Sequence, residues 1–172
     1  MNRRSFLRAL GLLSLLGLTG TAAAGCKHEK QTAAPKVWTV KMGTPKHEFV
    51  FVPDRLRIKP GDTVKWVLEA DAHSATAYHP KNHNRKQSRI PEGAEPWDSQ
   101  ILSTVGASFE YTFNIAGVYH YYCIPHEGVG MVGAIVVGRA LEGPALTPPQ
   151  EDLPVPTKRK LEELIAWAKG LK

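Results

Sequence analysis

Short stretches with apolar residues at every second position constrain the fold of this chain more than any other feature. In TVKWVLEA the recurring positions are Val64, Trp66 and Leu68, and ASFEYTFN and GVYHYYC repeat the pattern with aromatic residues. Such alternation places every second side chain on one face of a β-strand. Glycine, proline and aspartate separate the stretches, with no helical period among them. The pattern therefore predicts an all-β domain, an antiparallel sandwich or barrel, over residues 37–140.

Three segments depart from this pattern. Residues 70–100 have no clear period and are too long for a hairpin turn, which predicts an elaborate loop. Residues 141–156 hold five prolines and are expected to form an extended linker. Residues 157–172 predict a short amphipathic helix with Thr157 as its N-cap. Its apolar stripe consists of Leu161, Leu164, Ile165, Ala168 and Leu171. This stripe could cover the sandwich, lie on a membrane or dock on a redox partner, and the sequence leaves all three open.

The first 25 residues have the composition of an export signal. Arg3 and Arg4 stand in a basic head, ALGLLSLLGLTG is an apolar run, and TAAAGC follows with small residues. Adjacent arginines with Phe and Leu just beyond resemble the twin-arginine class of signals. Residues 26–36 read as a short polar tether. We expect an exported protein in the periplasm or on the outer face of the cytoplasmic membrane.

Two kinds of cleavage are compatible with this signal. In one, AAAGC is a relaxed lipoprotein box and Cys26 becomes the lipidated first residue; in the other, the chain is cut after Ala24. We favour lipidation, because an exported protein seldom keeps an odd thiol without purpose, although Ala23 stands where Leu is more usual. Two acyl chains on Cys26 would suffice to tether the protein to a membrane.

The charge of the mature chain is mild. The signal contains three of the 22 basic side chains and none of the 16 acidic ones, so its removal leaves 19 against 16, or +3. Apart from KNHNRKQSR there is no dense basic stripe. Nucleic acid is therefore not an expected partner.

Three residues that share an affinity for soft or borderline metal ions lie close together in YYCIPHEGVGMVG. They are Cys123, His126 and Met131. Structural zinc prefers four Cys or His ligands and gains little from a thioether. Two His, one Cys and a weak axial Met are instead the ligands of blue-copper electron-transfer sites. If Cys26 is lipidated, Cys123 has no disulfide partner, and a bound metal would protect its thiol.

A second histidine ligand has to come from elsewhere in the chain. His28 lies in the tether, and His120 points to the strand face opposite the ligand cysteine. His73 directly follows the strand TVKWVLEA, where a strand end can approach the cysteine loop, so we favour it. His79 is the next candidate. His79 and His83 are expected to be solvated loop residues rather than a second metal site.

A family resemblance emerges from these motifs. YYCIPHEGVGMVGAIVVG, with GDTVKWVLEADAHSATAYHP upstream, resembles the plastocyanin and halocyanin branch of the cupredoxins over roughly residues 37–138. The resemblance implies a Greek-key β-sandwich. It also implies one copper ion per chain, shuttling between Cu(I) and Cu(II), with His73, Cys123, His126 and Met131 as its ligands.

The resemblance further implies routes for the electron. The ring edge of His126 would reach the surface through an apolar patch and serve as the exit, and Tyr122 would lie on a second path. Many members of the family place Asn after the first ligand histidine, where it braces the cysteine loop; here that residue is Ser74. Trp97 and Ile90 are expected either to form an apolar docking rim or to anchor the long loop.

The expected function is that of a monomeric type 1 copper protein, not an enzyme, which passes single electrons between redox partners outside the cytoplasmic membrane. The partners would be a cytochrome or a membrane respiratory or photosynthetic complex. A copper delivery or storage protein, or an accessory subunit of a copper oxidoreductase, is the alternative. The chain has no His-x-His pair for a catalytic copper, and three methionines are few for a delivery protein.

Overall fold

The computed structural model describes residues 34–84, 86–139 and 141–171, and within these ranges eight strands form two four-stranded sheets. The predicted export signal, Cys26 and His28 lie outside these ranges. The strands are β1 (Val37–Met42), β2 (Phe51–Val52), β3 (Arg55–Ile58), β4 (Thr63–Leu68), β5 (Thr76–Ala77), β6 (Ser108–Thr112), β7 (Gly117–Tyr122) and β8 (Val132–Val137). Their order is β2-β1-β4-β6 in the first sheet and β3-β8-β7-β5 in the second. This confirms the predicted cupredoxin-like β-sandwich.

Two strand pairs are parallel, so the expectation of an antiparallel sandwich was wrong for them. β1 runs parallel to β4 and β3 runs parallel to β8. The turn KPGD (residues 59–62) does not close a hairpin, because it connects β3 in one sheet to β4 in the other. Asp62 fixes this crossing: its carboxylate accepts hydrogen bonds from the Lys59 N–H and the Trp38 indole. Alternation of apolar residues shows which face of a strand is buried, but it does not show whether the neighbouring strand runs parallel or antiparallel.

The core lies between the inner faces of the sheets. β4 shows the predicted alternation, with Val64, Trp66 and Leu68 buried and the residues between them half-buried. Trp66 meets Tyr121 of the opposite sheet edge-on, with ring centroids 5.3 Å apart. Gly133 of β8 is required here, because a Cβ at this position would lie 2.3 Å from the Tyr121 ring.

The two central strands of the second sheet are buried on both faces. β7 and β8 contain no exposed residue. Tyr119, Tyr121 and Ile135 face the main core, whereas Tyr122 and Val132 belong to an outer cluster under the C-terminal part of the chain. This double burial explains why GAIVVG is a continuous apolar run rather than an alternating one.

The C-terminal α-helix, α1 (Val155–Gly170), covers the outer face of the second sheet. Its buried stripe consists of Thr157, Leu161, Leu164, Ile165 and Ala168. Of the three positions that the sequence left open for this helix, the structure shows packing on the sandwich. The helix begins two residues before the predicted start, and Thr157 lies inside its first turn rather than at the N-cap. No helix in the described ranges combines the length and apolarity needed to cross a membrane.

The proline-rich segment before α1 is not extended throughout, in contrast to the prediction. It contains a 3₁₀ turn, Pro144–Leu146, in which Ala145 is buried. Arg89, itself buried, donates guanidinium hydrogen bonds to the carbonyl oxygens of Ala145 and Thr147. A single cation of the long loop therefore anchors this segment to the sandwich.

The long loop is folded onto the core. Ile90 and Trp97 are 1% and 4% exposed, and Trp97 stacks on Trp66 with centroids 5.7 Å apart. These two residues anchor the loop, and the interpretation of them as a docking rim was wrong.

Candidate metal centre

Three of the predicted ligands meet at one end of the sandwich. His73 lies five residues beyond the end of β4, Cys123 directly follows β7, and His126 is in the loop after it. The Nδ1 atoms of His73 and His126 lie 3.4 and 3.5 Å from the Cys123 Sγ and 3.0 Å from each other. Among the described residues this is the one group of His, Cys, Asp or Glu with metal-binding spacing.

Met131 lies beside this triangle. Its side chain is buried in the same core cluster as Cys123. Two backbone hydrogen bonds hold it there: the Cys123 N–H donates to the Met131 carbonyl over 3.0 Å, and the Met131 N–H donates to the His126 carbonyl over 3.2 Å. All four residues predicted from the sequence therefore come together in one place.

The triangle has the dimensions of a metal site. Donors about 2.0–2.3 Å from one borderline ion must lie about 3.3–4.0 Å from one another. The two edges to Cys123 Sγ, 3.4 and 3.5 Å, fall in this range, and the 3.0 Å edge between the imidazole nitrogens is slightly shorter. Burial lowers the pKa of His73, with a further decrease from nearby His126. Burial also lowers the pKa of His126. Both rings are consequently neutral at neutral pH and present lone pairs.

The buried Cys123 thiol also favours a soft or borderline ion. Burial raises the pKa of Cys123, and a hydrogen bond from the Ser74 N–H opposes this only in part. A buried thiolate is costly without a positive partner, and a metal ion would supply that charge. One thiolate, two neutral imidazoles and a thioether nearby fit copper better than zinc, magnesium or calcium.

Ser74 does brace the cysteine loop. Its Oγ accepts a hydrogen bond of 2.8 Å from the Ile124 N–H, directly after Cys123. Because the Thr76 hydroxyl donates to Asp98, the Ser74 hydroxyl must donate to Thr76, over 3.0 Å. The segment that carries His73 is thus tied to the segment that carries the cysteine.

The candidate histidines in the rest of the described chain, His120, His79 and His83, lie outside the triangle. His120 occupies the opposite face of β7, where its Nδ1 accepts a hydrogen bond of 3.1 Å from Arg89 Nε. Burial holds the pKa of His120 well below its usual value. His79 uses its Nδ1 to accept the Lys81 N–H. Within the described ranges, His79 and His83 belong to no metal-binding group.

Two residues at the site were not anticipated from the sequence. Phe49 stacks on the His126 ring, with centroids 3.9 Å apart and planes 7° from parallel. Gly43 adopts φ +78°, and a Cβ there would lie 2.8 Å from His73 Nε2. The sequence did contain a signal for Phe49. It stands two positions before Phe51 and so belongs to the same alternating set, but only Phe51 is buried in the core, which leaves the Phe49 ring 41% exposed. Nothing in the sequence linked Gly43 to His73.

The two predicted electron routes differ in their access to the surface. His126 is partly exposed and has apolar neighbours, Phe49, Ile124 and Val129, that are 41%, 42% and 61% exposed. Tyr122 is 3% exposed and lies in the cluster beneath α1. A route through Tyr122 therefore cannot end in direct contact between its ring and a partner.

Comparisons with known proteins agree with this geometry. Residues 38–138 match the family described as copper binding proteins of the plastocyanin/azurin type. The plastocyanin of Nostoc punctiforme is 34% identical over 109 residues, 62% of this chain and 77% of the relative. That of Scenedesmus fuscus is 36% identical over 102 residues, 58% of this chain and 97% of the relative.

A solved structure leads to the same family. The pseudoazurin of Sinorhizobium meliloti superposes with a TM-score of 0.59 at 29% identity, covering 78% of this chain and 98% of the other. The residues that match the family contain both sheets apart from Val37, and they contain the donor cluster, which consists of His73, Cys123, His126 and Met131. The chain thus belongs to the plastocyanin/azurin family of copper-binding proteins, and copper is its cofactor.

Proposed function

We propose that this protein carries single electrons between redox partners, with His73, Cys123, His126 and Met131 holding one copper ion. Copper supplies the one-electron chemistry. The observation that carries the proposal is the buried triangle of one sulfur and two imidazole nitrogens, with edges of 3.0–3.5 Å. Bracing by Ser74 and burial in the sandwich keep these donors in place, which favours transfer with little rearrangement.

Membership of this family places the chain among electron carriers rather than enzymes. Burial of the donors also argues against copper delivery or storage, because His73 and Cys123 are inaccessible to solvent. An exchangeable site would need donors that an accepting protein can reach. An accessory role beside a copper oxidoreductase remains the second candidate, and turnover of dioxygen or nitrite in a mixture with such an enzyme would favour it.

Electrons are proposed to enter and leave through His126. Its ring is in van der Waals contact with Phe49 and lies next to Ile124, both of which are exposed. A surface of this kind excludes water on contact with a partner and shortens the distance to the donor cluster. The partner is proposed to be a cytochrome or a membrane respiratory or photosynthetic complex.

The location of the protein is part of the same proposal. Residues 1–25 would direct export by the twin-arginine route, and a lipid on Cys26 would hold the monomer on the outer face of the cytoplasmic membrane or in the periplasm. Mass spectrometry of the mature N-terminus distinguishes the two cleavages. A diacylglyceryl adduct on Cys26 supports the anchor, and a free N-terminus at Gly25 contradicts it.

The visible absorption spectrum of the copper-loaded protein tests the function. We expect an intense blue or green colour in the oxidised state that bleaches reversibly on reduction, because the Cys123 thiolate supplies the charge-transfer band. Cys123→Ser is expected to lose this band and to retain the far-UV circular dichroism of the sandwich. A nearly colourless loaded protein would instead indicate a delivery or storage site.

A further inference from the structure

The turn between His126 and Met131 is held by backbone hydrogen bonds but buries none of its own side chains. This turn, Glu127–Val129, is a single 3₁₀ turn without a buried residue, and Val129 is 61% exposed. It sets the spacing between two members of the donor cluster. Side-chain contacts from outside the turn therefore add to the rigidity of that spacing.

The side chain of Glu127 is held by two residues from outside the turn. Its Oε1 accepts a hydrogen bond of 2.7 Å from the Tyr78 hydroxyl, and Lys86 Nζ lies 2.7 and 2.5 Å from its two carboxylate oxygens. The side chains of Lys86 and Glu127 are only 12% and 14% exposed. An ion pair buried to this degree is screened far less by salt than a surface pair.

Lys86 contacts the other arm of the cysteine loop as well. Its Nζ lies 5.1 Å from the ring centroid of Tyr122, the residue before Cys123, and 5.6 Å from that of Tyr78. An ammonium at this distance is attracted to an aromatic ring. Lys86, a cation of the long loop (residues 70–100), thus links the residue before Cys123 to the residue after His126.

The backbone of the turn is held from the side of α1. The Thr157 hydroxyl donates a hydrogen bond to the Glu127 carbonyl, and Thr157 is fully buried. The carbonyl of Pro156 borders Gly130, where a Cβ would lie 3.2 Å from it. The long loop therefore holds the side chain of Glu127, and the helix holds its backbone.

On the basis of the copper site proposed above, we propose that Glu127, Lys86 and Tyr78 are positioning residues for electron transfer. They fix the turn after His126, so that the imidazole keeps its distance from Cys123 and Met131 when the charge of the bound ion changes. The long loop and the C-terminal helix thus add rigidity to the site at a turn that has no buried residue of its own.

Two variants of the full-length, copper-loaded protein separate positioning from a simple effect of charge. Glu127→Gln removes a negative charge and Lys86→Met a positive one. If only charge matters, the first raises the reduction potential, the second lowers it, and both keep the parent visible and EPR spectra. If positioning matters, we expect both variants to alter the spectra in the same way and to slow electron self-exchange by about tenfold.

Three further variants complete the test. Tyr78→Phe removes one hydrogen bond at constant charge and is expected to cause a smaller change of the same kind. Lys86→Arg keeps the cation and is expected to retain the parent spectra and exchange rate. Arg89→Met is the matched control, because it removes a buried cation of the same loop that binds His120 and the proline-rich segment. It is expected to lower the melting temperature without altering the copper signals.

The outcomes distinguish this inference from the proposed function. Parent spectra and exchange rates in Glu127→Gln, Lys86→Met and Tyr78→Phe would overturn the positioning role and leave the copper carrier intact. A wild-type protein that develops no colour with copper would contradict both the positioning role and the proposed function as an electron carrier. A double variant, Glu127→Gln with Lys86→Met, that changes the signals no more than one single variant would support a shared role, since the contact is already broken.

Discussion

At the scale of single residues, the donor cluster depends on a position that cannot carry a side chain. Gly43 lies directly after β1 with φ +78°, a left-handed conformation that other residues rarely adopt. Its Cα faces the imidazole of His73, and an added Cβ would approach Nε2 to 2.8 Å. The ring is fully buried and has little room to move away. The absence of a side chain at Gly43 therefore leaves space for the His73 ring, although Gly43 provides no donor atom.

Gly43→Ala is expected to displace His73 and disturb the copper site. The variant should weaken or shift the visible band and lower the affinity for copper, in addition to a loss of about 1–2 kcal/mol from the strained backbone. Gly61→Ala is the matched control, because Gly61 has φ +91° and no atom within 4 Å of an added Cβ. An equal loss of stability in both variants with identical spectra would contradict this role of Gly43.

Met131→Leu tests the predicted axial donor. Loss of a weak donor destabilises the more highly charged Cu(II) state relative to Cu(I), so we expect a rise in the reduction potential with copper retained. Cyclic voltammetry measures the change. A fall in potential would argue against Met131 as an axial ligand.

At the scale of elements, a group of charged residues fastens α1 to the sandwich. Asp54, before β3, binds Arg55 and the Lys160 ammonium of the helix, and Arg55 also binds Glu163. Burial alone would raise the pKa of Asp54, but hydrogen bonds from Arg55 and Lys160 lower it from 3.8 to about 2. The helix is thus held by charges at one side and by Leu161 and Leu164 beneath it.

The lowered pKa of Asp54 predicts a dependence of stability on pH. Because the pKa is lower in the folded state, the stabilisation is complete above pH 3.8 and is lost as the pH falls towards about 2. Asp54→Asn should reduce the free energy of unfolding at neutral pH and flatten its decline in this interval. Urea unfolding of both proteins in the same copper state measures the difference.

Glu110→Gln is the control for this experiment. Glu110 pairs with Lys65 on the outer face of the first sheet, where both side chains are well exposed. Its removal is expected to change stability by less than about 1 kcal/mol. Parallel pH profiles for the parent and Asp54→Asn would show that the ion pairs of Asp54 with Arg55 and Lys160 do not stabilise the fold.

At the scale of the whole molecule, the additions to the sandwich leave one end exposed. α1 and the long loop cover the outer face of the second sheet, including Tyr122. The apolar residues around His126 stay exposed. This difference in burial supports the proposal that electrons enter and leave at the end of the molecule that carries the donor cluster.

Ile124→Glu tests the proposal that electrons enter and leave at the end of the molecule that carries His126. Ile124 is 42% exposed beside Cys123, and a carboxylate there must be desolvated on contact with a second molecule. We expect self-exchange to slow by about tenfold, or about 1.4 kcal/mol in activation free energy. Val37→Glu is the control, since Val37 is 57% exposed at the opposite end of β1 from Gly43. Equal rates in the two variants would argue against an exit at His126.

The amino-acid sequence alone predicted a β-sandwich and the donor set, but not the direction of every strand. Alternation of apolar residues indicated the strands, because burial on one face of a strand repeats every two positions. The donors after β7 could be predicted because Cys123, His126 and Met131 are close in sequence and chemically unusual together. His73 was favoured over His79 by its place beyond a strand end, and the family resemblance implied the same residue. The amphipathic stripe of α1 likewise predicted a buried face.

Only the tertiary structure decided which surfaces and segments meet. The direction of β1 relative to β4 depends on a crossing between sheets that Asp62 stabilises. The contacts of Gly43 with His73, of Phe49 with His126 and of Lys86 with Glu127 join residues 30 to 77 positions apart. Local sequence patterns encode the period and burial of one element at a time. Contacts between distant segments arise from packing the whole chain, so they appear only in three dimensions.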